Sequence, residues 1–354
     1  MHTQSKFRLL VVRLGAMGDI LHALPAVTAL RLAHPCWVID WVVEPRWRAL
    51  LAAEGSTGRG PAQPLVDHLH FAPTREWKKA PLSRKTLHEI MALHGALKAG
   101  YYDTVIDLQG AVRSAVVGRL AGCQRLIGEA EPRERAARWL FTERVATRGA
   151  HVIQQDVELA SAVAGDDLAP VQPWLPIDPA AEAWAQEFLP LSSIQPTALI
   201  NPGAGWGAKR WPVERYAAVA QGLIARGFRV LVNAGPGEQP LAEVIASQTG
   251  GAAVPLTCSL DRLIALTRRI TLVVAGDTGP LHLACALGRP VVGVYGPTDP
   301  SRNGPFATRF KVLRSPQSRR DHTRHAEPEA GLLTIAPLDV LRAADELLAQ
   351  ETAS

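Results

Sequence analysis

The sequence FRLLVVRLGAMGD at residues 7–19 joins a continuous apolar run to a short glycine turn, and residues 20–32 after it have helical periodicity. This order predicts a strand, a tight turn and a helix. Residues 37–43 and 103–108 form similar apolar runs, and a helical stretch through Leu120 follows the second of them. Strands that are apolar without alternation are typical of parallel sheets covered by helices on both faces. The N-terminal part is therefore predicted to be a doubly wound α/β domain.

A second series of strands and helices follows a proline-rich, acidic segment that contains one predicted helix near residues 180–188. Its strands are expected at 197–200, 228–233, 271–275 and 290–295, each followed by a loop. We predict an N-terminal domain at residues 1–170, a linker at 171–196 and a C-terminal domain at 197–354. The last helix is expected to pack back on the N-terminal domain.

Composition excludes several classes of protein. The chain has 354 residues, 47% of them hydrophobic and 20% charged, which fits two domains with sizeable cores and excludes global disorder. No apolar run approaches the ~18 residues that a membrane span needs. The first residues lack the apolar stretch and cleavage site of a signal peptide, so we expect a cytoplasmic protein. Four cysteines lie far apart without a C-x-x-C pair, which signals neither a zinc site nor a redox motif.

Positive charge is concentrated in one part of the sequence. Residues 75–148 contain 14 Lys and Arg against 8 Asp and Glu, a net charge of +6, whereas the whole chain has +5. A local excess of this kind indicates an anionic partner. We expect no nucleic acid among the partners.

Ligands of doubly wound sheets bind outside the carboxyl ends of the strands, so the loops there are the candidate sites. Asp19 lies at the start of the first helix, where it is either an N-cap or a general base facing the cleft between the domains. Gly18 beside it allows a ligand to approach the backbone. His22 is expected in the core. Gly15 and Gly18 are three residues apart, which is not the dinucleotide-binding pattern G-x-G-x-x-G.

The loop NPGAGWGAKRWP at residues 201–212 is the second candidate. Its glycines free backbone amides before a helix, and Lys209 adds a cation, so it could hold a phosphate without a metal. A flexible loop with solvated charges is the alternative. Glu238, after the next strand, suits the ribose diol or the nucleobase of a nucleotide. A solvated turn glutamate is equally compatible with its spacing.

The third candidate is GDTGPLHLA at residues 276–284, where a strand turns into a helix. Gly279 permits close approach, and the helix N-terminus at Thr278 favours an anion. Asp277 would repel phosphates, so a sugar hydroxyl suits it better. His282 is ambiguous, with a slight preference for the cleft. The sequence lacks Asp-x-Asp, a histidine pair at i and i+4 with a glutamate, and acidic clusters, so we expect a metal-independent site without a cofactor.

Several fragments in this order resemble glycosyltransferase family 9, the lipopolysaccharide heptosyltransferases. They are RLGAMGDILHALP (residues 13–25), the loop around Lys209, GDTGPLHL (residues 276–283) and YGPTDP (residues 295–300). DLQGAVRSA (residues 107–115) and RERAARWLF (residues 133–141) are similar to the heptosyltransferase I branch. The resemblance covers nearly the whole chain, although glycines replace the threonines that this branch often has in the donor loop.

The resemblance implies a GT-B fold, in which two Rossmann-like domains face a cleft, and an inverting, metal-independent transfer. The donor would be ADP-L-glycero-D-manno-heptose and the acceptor the Kdo of Kdo-lipid A, at the inner face of the inner membrane. Asp19 would be the base. The implied donor-binding residues are Lys209, Glu238, Asp277, Thr278, Gly279 and His282. The implied acceptor-binding residues are Gly18, Arg75, Lys78, Arg113 and Arg133.

Three alternatives remain open from the sequence. A family 9 transferase could use another nucleotide sugar or acceptor. A nucleotide-sugar epimerase of similar shape would need no separate acceptor and no basic stretch. A non-catalytic nucleotide-binding or lipid-surface module would use Asp19 only as a cap.

Overall fold

The computed structural model describes residues 6–192, 194–320 and 326–349. The chain divides into two compact units, Met1–Asp178 and Pro179–Ser354. The division falls inside residues 171–196, the segment that the sequence predicts as a linker.

The first unit is a parallel sheet with helices on both faces. Its strands are β1 (Arg8–Val12), β2 (Val38–Val43), β3 (His68–Phe71), β4 (Thr104–Asp107), β5 (Leu126–Glu129) and β6 (Glu143–Val145). Its helices are α1 (Met17–Ala33), α2 (Thr74–Lys79), α3 (Arg84–Ala99), α4 (Val112–Arg119) and α5 (Val152–Ala164). The strand order is β3-β2-β1-β4-β5-β6, and α1 packs extensively on α5.

The second unit repeats this architecture. Its strands are β7 (Thr197–Asn201), β8 (Arg229–Asn233), β9 (Ala253–Leu256), β10 (Leu272–Gly276), β11 (Val291–Tyr295) and β12 (Phe310–Arg314). Its helices are α6 (Pro179–Phe188), α7 (Val213–Ala225), α8 (Gln239–Gln248), α9 (Leu260–Thr267), α10 (Gly279–Ala286), α11 (Pro300–Asn303) and α12 (Pro337–Ala349). The strand order is β12-β11-β10-β7-β8-β9, again with parallel pairs.

Both sheets thus have the strand order of a Rossmann fold, in which the direction of strand succession reverses once. The reversal lies between β1 and β4 in the first unit and between β7 and β10 in the second. The central strands are fully buried, as their apolar sequences predict; Val11, for example, pairs with Trp41 of β2 and Ile106 of β4. The predicted α/β class with two doubly wound sheets is confirmed.

The two helices near the unit boundary and the C-terminus pack within the second unit. Helix α6 lies on α9 through Ala181, Ala185 and Ala265. Helix α12 packs on α7, β11 and β12. Its predicted return to the N-terminal domain stays a prediction. Among the helices described, none is long and apolar enough to span a bilayer.

Candidate functional site

The reversal points of the two sheets coincide with the loops that the sequence singles out. Asp19 follows β1, and the loop that begins at Asp107 follows β4. In the second unit, the loop that contains Lys209 follows β7, and Asp277 follows β10. Because ligands of such sheets bind at these reversal points, each unit presents one candidate site.

Asp19 is not the N-cap of helix α1. The helix begins at Met17 and Ala16 is the N-cap, so Asp19 occupies the third helical position. Its Oδ2 accepts a hydrogen bond of 3.1 Å from the backbone N–H of Ala16. The predicted capping role is therefore corrected in position: a carboxylate three residues on satisfies the N-cap amide, as in a capping box.

The Asp19 carboxylate lies between two guanidinium groups. The Nε of buried Arg13 donates to the backbone oxygen of Asp19 at 3.1 Å, and its Nη2 lies 3.7 Å from Oδ1. Nη1 of Arg133 lies 4.0 Å from Oδ2. The Asp19 side chain remains 36% exposed. The carboxylate is held in place by its neighbours and is still accessible to a ligand.

Two buried carboxyl groups, which the sequence reasoning missed as site residues, stand behind Asp19. Burial raises the pKa of Asp156 to about 7; the charge of Arg13 opposes this shift and the charge of Asp19 adds to it. Burial likewise raises the pKa of Asp107 to about 6, although its Oδ1 accepts hydrogen bonds from the amides of Gln109 and Gly110. Three carboxyl groups therefore share the field of one buried guanidinium.

His22 is buried, as expected of a core histidine, and its ring lies 5.6 Å from that of His151 in an edge-to-face arrangement. His151 precedes α5 and its Nδ1 accepts a hydrogen bond from the N–H of Ile153. These rings pack between α1 and α5, and their burial confirms the core assignment.

A cluster of arginines surrounds a buried glutamate after β2. Glu44 accepts a hydrogen bond of 2.7 Å from the hydroxyl of Thr74, and its Oε2 lies 3.1 Å from Arg46 and 3.9 Å from Arg75. Burial and then the charge of Arg75 lower the pKa of Arg46, and Arg113 contributes to the same shift. Three guanidinium groups against one carboxylate leave net positive charge here. Sequence reasoning missed Arg46 because it lies before the basic stretch.

The other two acceptor-side candidates are Lys78 and Gly18. Lys78 is exposed on the short helix α2. Gly18 lies half-buried in the first turn of α1, beside Asp19.

In the second unit, Asp277 connects a lysine and a histidine. Lys209 Nζ donates to Asp277 Oδ2 at 2.5 Å, and His282 Nε2 lies 3.0 Å from Oδ1. Burial alone would raise the pKa of Asp277, but the hydrogen bond to His282 and the charge of Lys209 hold it well below its usual range. His282 is buried against Asp277, so its ring positions that carboxylate.

Around this trio, the loop geometry exposes helix amides. Thr278 is the N-cap of α10, which begins at Gly279. Thr278 Oγ1 lies 3.5 Å from Asn201 Nδ2, and Asn201 in turn accepts a hydrogen bond of 2.7 Å from Asn233. Buried amides thus connect the ends of β7, β8 and β10 in front of the α10 N-terminus, where an anion is stabilised.

Glu238 bridges two loops of the same edge. Its Oε2 accepts a hydrogen bond of 3.0 Å from the N–H of Gly235, and a side chain at Gly203 would have its Cβ 2.0 Å from that carboxylate. A side chain at position 203 would therefore displace the Glu238 carboxylate. The contact brings Glu238 to the loop after β7.

The structure therefore groups most predicted residues by unit. The first group joins Asp19 to Arg133, with Arg75 beside Glu44 and Arg113 near Arg46. The second joins Lys209, Asp277, His282 and Thr278. Among the described residues, no group of three or more His, Cys, Asp or Glu side chains could hold a metal ion. An accessible carboxylate can accept a proton, and a lysine beside a helix N-terminus can stabilise an anionic leaving group.

The chain is similar to a known protein family, to known proteins and to solved structures. The family described as "Glycosyltransferase family 9 (heptosyltransferase)" matches residues 90–332. Lipopolysaccharide heptosyltransferase 1 of Escherichia coli K12 is 32% identical over 324 residues, covering 88% of this chain and 94% of that protein. The structure "E. coli heptosyltransferase WaaC with ADP" has a TM-score of 0.78 at 28% identity and covers 96% of this chain and 100% of its own. "E. coli heptosyltransferase WaaC with ADP-2-deoxy-2-fluoro heptose" has a TM-score of 0.74 at 28% identity, covering 98% and 100%.

Proposed function

We propose, on the premise that the chain belongs to glycosyltransferase family 9, that it moves L-glycero-D-manno-heptose from ADP-heptose to the Kdo of Kdo-lipid A. The family and its relatives establish a heptosyltransferase of lipopolysaccharide core synthesis with a GT-B fold. The choice of donor, acceptor and stereochemistry is the proposal. The observation that carries it is the accessible Asp19 carboxylate, held between Arg13 and Arg133 at a reversal point.

The donor proposal rests on the second unit and on its structural relatives. WaaC, which is 28% identical, was solved with ADP and with an ADP-heptose analogue. In this chain Lys209 and the amides at the start of α10 supply positive charge suited to a diphosphate. Asp277, aligned by His282, offers a carboxylate oxygen to a sugar hydroxyl. Glu238 would contact the ribose.

The proposed reaction is a single displacement at the anomeric carbon of the heptose. The acceptor hydroxyl gives its proton to the Asp19 carboxylate while its oxygen bonds to the anomeric carbon from the face opposite ADP. The bond between that carbon and the phosphate oxygen breaks, and the electron pair leaves with ADP. Attack from the opposite face inverts the configuration. Lys209 and the α10 N-terminus stabilise the charge that develops on the diphosphate.

The acceptor proposal uses the excess of cations in the first unit. Kdo carries a carboxylate and lipid A carries phosphates, and guanidinium groups recognise both through charge-assisted hydrogen bonds. Arg133 already lies beside Asp19, and Arg75 and Arg113 belong to the cluster at Glu44. Lys78 and the backbone at Gly18 complete the acceptor-side set. Because this acceptor is a membrane glycolipid, we place the enzyme at the cytoplasmic face of the inner membrane.

A donor and acceptor screen tests the proposal. The protein is mixed with ADP-heptose and a Kdo-bearing acceptor in the presence of EDTA, and the product is identified by mass spectrometry and by the anomeric NMR coupling. A heptosylated acceptor of inverted configuration is expected. Transfer only from a GDP- or UDP-sugar would reject the proposed donor. Loss of transfer on chelation would reject metal independence, and isomerised sugar without transfer would indicate an epimerase.

A further inference from the structure

An exposed tryptophan stands among arginines near the edge strand of the first unit. Trp139 is 69% exposed, and the guanidinium carbons of Arg138 and Arg144 lie 4.9 and 5.5 Å from its ring centroid. Trp139 ends a short 3-10 turn that begins at Arg135, and Arg144 lies on the edge strand β6. The exposed indole gives this edge of the unit a large, rigid apolar group with a polar N–H.

The neighbouring helix extends this face. Arg113, Val116 and Arg119 recur at intervals of three residues along the exposed side of α4, which contacts the turn ending at Trp139. We use the name Trp139 surface for the exposed side chains outside the acceptor-binding set. They are Val116, Arg119, Arg135, Trp139 and Arg144, together with the half-buried Arg138 that packs on the Trp139 ring.

The charge of this region is largely unneutralised. Residues 112–148 contain eight arginines, no lysine and four glutamates. Arg125 pairs with Glu143, and Arg133 faces Asp19. In the part of the chain that the structure describes, the other six arginines form no salt bridge; they are Arg113, Arg119, Arg135, Arg138, Arg144 and Arg148.

Two of the four glutamates have neutral partners. Glu134 accepts a hydrogen bond of 2.8 Å from the N–H of Val112, and Glu129 accepts one of 2.8 Å from the hydroxyl of Thr147. These hydrogen bonds hold the Glu134 carboxylate at the start of α4 and the Glu129 carboxylate at the end of β5. Because Arg119, Arg135 and Arg144 are exposed and lie outside salt-bridge distance of the described carboxylates, their guanidinium groups can meet external anions.

This combination fits the boundary of an anionic bilayer. Tryptophan is enriched at membrane–water interfaces because its ring is apolar and its N–H is polar. Arginine side chains lay their apolar stems along the acyl boundary and keep their charge among the headgroups. Each basic residue near an anionic leaflet contributes about 1 kcal/mol to binding. A single protruding indole with flanking arginines requires no groove in the partner, which favours a lipid surface over a folded protein.

We propose that the Trp139 surface docks the enzyme on an anionic lipid bilayer, with Trp139 inserted at headgroup depth and Arg138, Arg144, Arg119 and Arg135 on the lipid phosphates. The inference rests on the proposed function, because docking would bring the enzyme to the bilayer that holds its proposed glycolipid acceptor. Arg133, which lies beside Asp19, is only two residues before the turn that carries Trp139. Docking through this turn would therefore bring the bilayer near the carboxylate proposed as the base.

Vesicle sedimentation tests the docking without any enzymatic step. The full chain is mixed with vesicles of phosphatidylcholine alone or with phosphatidylglycerol added, at low and high salt. The wild type is expected to bind only the anionic vesicles, and high salt should weaken binding. Trp139→Gln should lower the partition coefficient about tenfold, because the buried indole is lost. Arg138→Gln combined with Arg144→Gln should lower it about thirtyfold, at about 1 kcal/mol for each arginine.

A matched control distinguishes the effect of this surface from the effect of the protein's net charge. Arg302 and Arg342 are exposed in the second unit, and replacing both by glutamine makes the same change in charge. This control should bind as the wild type does. Equal weakening by both pairs, or an anionic affinity unchanged in Trp139→Gln, would overturn the proposal. So would tighter binding to duplex DNA than to the anionic vesicles, which would assign the surface to nucleic acid.

Fluorescence quenching and turnover on a soluble acceptor distinguish an effect on membrane docking from an effect on the reaction. Trp139→Phe should still bind vesicles of brominated lipid but lose the fluorescence quenching that Trp139 contributes. Unchanged quenching would show that the indole does not insert. Turnover on a water-soluble Kdo acceptor without acyl chains should be unchanged in Trp139→Gln. A loss there would place Trp139 in acceptor binding instead, whereas absence of turnover in every variant would reject the proposed function and leave the vesicle result standing.

Discussion

Replacing Asp156 by asparagine is expected to stabilise the first unit, and by more as the pH rises. Asp156 is buried between α5 and its neighbours, and its Oδ2 has no hydrogen-bond partner among the described residues. The groups that face it are Arg13, Asp19, Glu129 and Asp107. Asparagine has nearly the same shape and carries no charge at any pH, so the substitution isolates the cost of ionising this carboxyl group.

The sign and size of this change in stability follow from the pKa of Asp156, which burial raises from the usual 3.8 to about 7. Between these values the native state binds more protons than the unfolded chain, so stability falls as the pH rises. This penalty is absent below pH ~4 and complete above the folded pKa. At about 1.4 kcal/mol for each pKa unit, it reaches about 1.5 kcal/mol at pH 5 and about 4 kcal/mol at pH 8. The variant should gain stability over the wild type by these amounts.

Hydrogen exchange of the α1 and α5 amides, read by mass spectrometry between pH 5 and 8, reports the opening free energy of this unit separately from the second. Asp166→Asn serves as the control, because Asp166 is an exposed carboxylate beside His34. Its effect should be small at every pH. A difference between Asp156→Asn and wild type that is constant with pH, or that shrinks as the pH rises, would refute the reasoning. Turnover at pH 6 should stay near that of the wild type, since Asp156 is already neutral there.

Three further outcomes are expected. Asp19→Asn should keep donor affinity in calorimetry but lose about 10²–10⁴-fold in kcat, because the proposed general base is removed; near wild-type kcat would remove Asp19 from the mechanism. Lys209→Ala should raise the donor KM or lower kcat, since the charge proposed to face the diphosphate is lost; unchanged steady-state kinetics with ADP-heptose would contradict this. Tyr102→Phe should destabilise the first unit by about 1.5–3 kcal/mol in urea unfolding, because the Tyr102 hydroxyl donates to the buried Asp40 carboxylate at 2.7 Å. Burial alone would raise the pKa of Asp40, but hydrogen bonds from His70 and Tyr102 lower it, so the stabilisation should vanish as the pH falls through that lowered pKa; a pH-independent difference would argue otherwise.

The central elements could be predicted from sequence because burial on both faces leaves a distinct pattern. The apolar run of residues 7–13 became β1, and the predicted helix at 20–32 became α1 with one more turn at its start. Edge strands were missed for the opposite reason. β3 at His68–Phe71 and β12 at Phe310–Arg314 are only partly buried, so their sequences lack a continuous apolar run.

The candidate site was predictable where a loop carries a distinctive order of residues. The pairing of Lys209 with Asp277 could not be predicted, because 68 residues separate them and only the adjacency of β7 and β10 brings them together. Asp156 left a signal that could have been used: an acidic residue on the buried stripe formed by Ile153, Val157 and Ala160. A carboxyl group on such a stripe is expected to have an unusual pKa.

The geometry distinguishes the two aspartates at the reversal points as candidates for the base. Asp277 is nearly fully buried, bonded to Lys209 and His282, and its pKa lies well below the usual range, so it is a poor proton acceptor near neutral pH. Asp19 is one-third exposed, and the nearest terminal nitrogen of Arg13 lies at 3.7 Å, beyond hydrogen-bond distance. One of its oxygens is committed to the Ala16 amide, which fixes the rotamer and directs the other. We therefore propose Asp19, in the first unit, as the proton acceptor, whereas Asp277 is suited to binding a hydroxyl group that stays protonated.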